Sequence, residues 1–154
     1  MKILSYTLIA GVLALAVPTA IWGAELRVGE QPSIAQNERI QDDVYMTGGA
    51  VRSAGTVQGD LFTVGGSILI NGSVTEDLTA AGGNITILGT VGDDLRVAGG
   101  NITINAPITG DVLIGGGQVQ LSGTGVGGDI LIGGGMVRID APVKGDVLIH
   151  LEAV

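Results

Sequence analysis

Asp94-Leu95-Arg96-Val97-Ala98-Gly99-Gly100-Asn101-Ile102-Thr103-Ile104-Asn105-Ala106-Pro107-Ile108-Thr109-Gly110 is one copy of a pattern that recurs along most of the chain. Aligned on their first residue, the copies begin at Asp43, Asp60, Asp77, Asp94, Asp111, Asp129 and Asp146, in steps of 17 residues apart from a single step of 18. A fixed period this short is the mark of a solenoid, in which each turn stacks on its neighbour. Counting Asp as position 1, position 2 is always Val, Leu or Ile, and so is position 9. Position 11 is mostly Ile or Leu, and position 15 is usually Val or Ile. Apolar residues at 2 and 4, and again at 9 and 11, alternate with more polar neighbours, which is the period of a strand.

The step from position 4 to position 9 is odd, and a flat strand cannot keep both residues on one face across it. A glycine pair fills the gap, as Gly48-Gly49, Gly65-Gly66, Gly82-Gly83, Gly99-Gly100, Gly116-Gly117 and Gly134-Gly135. Glycine permits positive φ, so these pairs are expected to form a corner. Further corners are expected at position 13, which is Gly or Ala, and at the Asp itself, often preceded by Gly. Three short faces and three corners predict an all-β, triangular parallel β-helix. One turn has too little core to offset the ordering of its own backbone, so stability must be collective. The extra residue of the 18-residue step falls near Gly123-Thr124-Gly125-Val126 and reads as a bulge on the third face.

The composition agrees. Gly is 28 of 154 residues, against an average usage of about 7%. Aromatic residues are 3% and Cys is absent, so the core must be aliphatic and there is no disulfide, zinc-thiolate or thiol nucleophile. With 7 basic and 15 acidic residues the net charge is −8, which argues against nucleic-acid binding. His150 is the one imidazole, so a Ser-His-Asp triad would have to be built on it alone.

Residues 1–24 form a separate unit. Lys2 precedes an apolar run over 3–17, Pro18 breaks it, and small residues follow. This pattern reads as a secretory signal peptide, with an uncleaved N-terminal anchor as the alternative. Either way the remainder is expected to be exported to the cell envelope, membrane-associated or secreted. Residues 25–42 read as a degenerate capping turn, with Ile34 and Ile40 at positions 9 and 15. Residues 43–154 are the repeat domain, six full turns and a half. In the last half-turn His150-Leu151-Glu152 replaces the glycine corner, and Val147, Ile149, Leu151 and Val154 are expected to leave an apolar end beside an open strand edge, either because the chain is a fragment of a longer protein or because this end stacks on another copy.

Gly-Asp-Val-Leu-Ile-Gly-Gly-Gly (110–117) and Gly-Gly-Asn-Ile-Thr-Ile (82–87, repeated at 99–104) resemble the repeats of bactofilins and related polymer-forming cytoskeletal proteins. The resemblance covers residues 43–154. It implies a right-handed β-helix that assembles end to end without nucleotide, into filaments or membrane-associated scaffolds. Bactofilins proper are cytoplasmic, so the leader points to an exported relative.

The column Asp43, Asp60, Asp77, Asp94, Asp111, Asp129 and Asp146 is the most tempting site. Stacked turns place neighbouring carboxylates about 4.8 Å apart, and each pair repels by roughly 0.9 kcal/mol in water. A cation would relieve this, but one carboxylate per turn falls short of the six to eight oxygens calcium prefers. Hydrogen bonds from turn N–H groups offset the repulsion without metal. The column is therefore expected to be structural, with no cofactor, metal or small-molecule substrate. Gly-Gly-Gly at 115–117 and 133–135 lacks the Lys and the helix of a phosphate loop. Asn71-Gly72-Ser73, Asn84-Ile85-Thr86 and Asn101-Ile102-Thr103 match the glycosylation sequon because the repeat recurs. These readings point to a non-enzymatic structural protein that self-associates end to end, with membrane association as a further expectation. An adhesin-like, surface-binding module is the alternative.

Overall fold

A computed structural model describes residues 23–152. Apart from Gly23 and Ala24, the leader reading of residues 1–24 lies outside the described residues, and so does Val154. The chain is an all-β parallel solenoid. Its first turn holds β1 (Ala24–Val28), β2 (Ser33–Ile34) and β3 (Arg39–Ile40). The second holds β4 (Asp43–Ser53) and β5 (Thr56–Val57), and the third β6 (Leu61–Ile70) and β7 (Ser73–Val74). Each later turn supplies one strand: β8 (Leu78–Ile87), β9 (Leu95–Asn105), β10 (Val112–Ser122), β11 (Ile130–Asp140) and β12 (Val147–Leu151). The main ladder runs β1-β4-β6-β8-β9-β10-β11-β12, about eight turns, with β2 also paired to β4. Every pairing is parallel, and from β4 onward the main ladder keeps the register of the repeat, as in Leu61, Leu78, Leu95, Val112, Ile130 and Val147.

A second ladder closes the coil. Ile40, Val57 and Val74 pair in a three-stranded sheet, and single bridges continue the column through Val91, Ile108, Val126 and Val143. Position 15 is thus one column along the whole molecule. The extra residue is absorbed just before it, where Gly123 and Gly125 adopt φ of 120° and 141°.

The core is a stack of aliphatic columns. Val44, Leu61, Leu78, Leu95, Val112 and Ile130 are no more than 1% exposed, and the position 9 and 11 residues from Ile68 to Leu121 are also buried. Position 4 contributes a fifth column of mixed size: Met46, Thr63, Ala80, Val97, Ile114 and Ile132, all buried. Ser53 Oγ and Thr63 Oγ1 are buried in this core without a hydrogen-bond partner.

Two expectations are corrected. First, the glycine pairs do not turn through positive φ: each long strand runs through its pair, and among the described residues only Gly23, Gly123 and Gly125 have positive φ. The inward face does switch parity there, as in β10, where Ile114 and Val119 are both buried with Gly116-Gly117 between them. What demands glycine is the approach of the turn beneath. A Cβ on Gly48, Gly65, Gly82, Gly99 or Gly134 would lie 2.1–2.7 Å from a carbonyl oxygen of that turn.

Second, Ile34 sits at position 11, not position 9: it pairs with Ser53, and Ala24 pairs with Asp43, a step of 19 residues, while Ile40 pairs with Val57 at a step of 17. Two extra residues are therefore inserted between Ile34 and Arg39, in a tight turn closed by Glu38 N–H to the Ala35 carbonyl at 3.0 Å. A count back through that insertion misplaces every residue before it.

Candidate functional site

The Asp column is a hydrogen-bonded ladder. Each Oδ1 accepts the backbone N–H of the Asp one turn on: Asp60 to Asp43 at 2.9 Å, and Asp77 to Asp60 and Asp94 to Asp77 at 3.0 Å. Asp111, Asp129 and Asp146 donate to their predecessors at 2.8 Å. The same Asp residues accept through their carbonyls from the position 2 N–H of the turn before, as Leu78 to Asp94 at 2.9 Å and Ile130 to Asp146 at 2.8 Å. A hydrogen bond to a charged acceptor contributes about 1.5–3 kcal/mol, more than the repulsion between neighbouring rungs. Glycine before the Asp makes room for this acceptor. A Cβ on Gly110, Gly128 or Gly145 would come within 2.1–2.3 Å of an Oδ1. Asp42, Glu76 and Asp93 hold the same place in three turns, so that requirement is local.

Arg96 crosses the middle of the column. Its guanidinium donates to Asp77 Oδ2 at 2.8 Å and to Asp94 Oδ2 at 3.0 Å, bridging two successive rungs. The hydrogen bond from Arg96 holds the Asp77 carboxyl below the usual aspartate range, against the opposing effect of partial burial. Asp77, Asp93 and Asp94 bring carboxylate oxygens within 4.8 Å of one another, the one such acidic cluster among the described residues. A cation there would have to displace Arg96 and share Asp77 and Asp94 with the backbone N–H groups they already serve.

Outside the column, the outward residues change character along the coil. At position 3, the Tyr45 and Phe62 rings stack with centroids 4.9 Å apart. Thr79 and Arg96 follow, and then Leu113, Leu131 and Leu148, all exposed. Past the glycine pair, on the second half of the long strands, Asn101 Nδ2 donates to Asn84 Oδ1 at 3.0 Å, so two of the three sequon asparagines form an exposed ladder of their own. His150 is exposed on β12, in register with Gly133.

The two ends differ. In the first turn the positions in register with Val44 and Met46 are Glu25 and Arg27. Arg27 bonds Glu25 Oε1 at 2.6 Å, the Ser33 carbonyl, and Glu38 through both carboxylate oxygens. Glu38, lowered in pKa mainly by the bond from Arg27, also accepts the Ala35 N–H at 3.0 Å. The first described turn thus carries an ion-paired polar layer over the core. At the other end β12 continues the inward columns with Val147 and Ile149, which are 45% and 41% exposed, beside Leu151 at 58%.

The Asp and Gly columns are visible in the repeat. The Arg96 bridge and the Arg27 layer are not, because each joins residues from different turns. Their signals are small: Arg96 is the single basic residue at position 3, and Glu25-Leu26-Arg27 alternates charge where later turns alternate apolar residues. No family model, characterised protein or solved structure matches the chain.

Proposed function

We propose that this protein is a non-enzymatic structural element of the cell envelope, a β-helix scaffold that assembles through the ends of its coil. The observation that carries this reading is the unbroken parallel ladder, in which each turn from β4 to β12 offers the next the same aliphatic columns and the same strand edge. A turn of a second coil laid on such an edge satisfies its N–H and C=O groups and extends the columns. The leader pattern supports an exported location, and the bactofilin-like repeat texture supports assembly of a coil without nucleotide.

Light scattering on the full chain tests this assembly. Mass should rise with concentration, and Val147→Lys with Ile149→Lys should return it to the monomer. A parent that stays monomeric at high concentration refutes the reading. Long fibres in electron micrographs would mean that the N-terminal end also takes part.

A further inference from the structure

The last three exposed residues at position 3, Leu113, Leu131 and Leu148, lie in one open groove with Arg96 at its far end and the Asp column along its side. The groove has a volume of about 420 Å³. Two features mark this stretch, the first shared with Asp43 and Asp60 and the second its own. The Oδ1 atoms of Asp111 and Asp129 serve the backbone, while no Lys or Arg among the described residues pairs with Asp111, Asp129 or Asp146. Beside the leucines, Gly115 and Gly133 occupy the next outward position, where a Cβ would meet nothing within 4 Å and φ is not positive. Neither space within the coil nor backbone conformation calls for glycine at these two sites. Glycine within a strand commonly marks the close approach of a ligand or another backbone.

Arg96 shows how this surface receives a cation. From position 3 its guanidinium spans two rungs of the column, with a carboxylate from each. In the next three turns a leucine stands where the arginine stood, and no basic residue among the described residues bridges the rungs beside it. A ligand complementary to this surface carries apolar side chains to lie on the leucines and arginines to reach Asp111, Asp129 and Asp146.

Spacing selects its form. The rungs repeat every ~4.8 Å along the coil. Same-face residues advance about 5.3 Å per step in a helix, averaging i+3 and i+4, and about 6.7 Å in an extended strand. Across three rungs a helix drifts by about 1 Å and a strand by about 4 Å. We propose that the groove of Leu113, Leu131 and Leu148, with its rail of Asp111, Asp129 and Asp146, docks a basic amphipathic helix of a partner protein along the coil axis. This goes beyond the structural role above and does not depend on end association.

The test uses the full chain and a labelled alanine-based helical peptide with a leucine stripe flanked by arginines, followed by fluorescence anisotropy. The arginine peptide should bind, more weakly as salt rises, and its glutamate counterpart should not. Asp111→Asn, Asp129→Asn and Asp146→Asn together keep the Oδ1 acceptors of the ladder but remove the charge, and should weaken binding about tenfold. Leu131→Arg should place a guanidinium of the chain's own on Asp129 and Asp111, as Arg96 does one stretch earlier. It should abolish binding while leaving the mass in solution unchanged. Failure of the arginine peptide to bind overturns the proposal. So does equal binding of a glutamine version, which would reduce the surface to plain apolar contact, or equal binding by Leu131→Arg.

Discussion

Gly82→Ala isolates what the glycine pairs do. A Cβ on Gly82 would lie 2.1 Å from the Gly65 carbonyl oxygen, with Ile68 Cδ1 a further neighbour at 3.2 Å. Contacts of this kind are essentially never closer than 3.0 Å, so the two turns must part locally by about 0.9 Å. That is nearly a fifth of the ~4.8 Å between turns, and it would stretch ladder hydrogen bonds of ~2.9 Å beyond useful length. Overpacking of this size costs about 1–3 kcal/mol, and each ladder bond lost adds about 1. A loss of about 3 kcal/mol is therefore expected. Gly133→Ala supplies the contrast within one fold. Its Cβ meets nothing within 4 Å and its φ is not positive, so the substitution should stabilise the coil by about 0.4–1 kcal/mol through the unfolded chain. Urea midpoints for the two variants, compared at a common slope, decide the matter. Equal midpoints would refute the close-approach explanation and leave the glycine column without a physical cause.

Four more expectations follow from the same geometry. Ile102→Asp should unfold or severely weaken the coil by burying an unpaired charge, while Thr103→Asp, on the outward face, should be mild; equal melting temperatures would contradict the column assignment. Thr63→Val keeps the shape of a buried side chain whose hydroxyl has no partner, and should raise stability by about 1–2 kcal/mol by thermal denaturation; a loss would mean that the hydroxyl is satisfied in solution. Asp77 and Glu38 are held below their ordinary values of 3.8 and 4.5, so they stabilise the fold above those values and that contribution is lost as pH falls through their lower folded values. Melting temperature should fall below about pH 4, and Arg96→Leu should make that fall shallower; parallel profiles for parent and variant would remove Arg96 as its cause. EDTA should leave the melting temperature unchanged, whereas a drop restored by calcium would make Asp77, Asp93 and Asp94 a cation site.

The coil was legible because its period is strict and its main columns are chemically uniform. Val44, Leu61, Leu78 and Leu95 announce position 2 without reference to any neighbour. Position 4 is harder to read, since Met46, Thr63, Ala80 and Val97 share burial but not size or polarity. Glycine is ambiguous in a deeper way. The same residue satisfies a positive φ at Gly123 and a close carbonyl at Gly82, and only the atoms of the previous turn tell the two apart. Repeat counting misplaces Ile34 for a related reason: it assumes no insertion, and the Ala35–Glu38 turn is one. The inserted residues are also what brings Glu38 to Arg27, so the local break in the pattern builds the polar layer at that end.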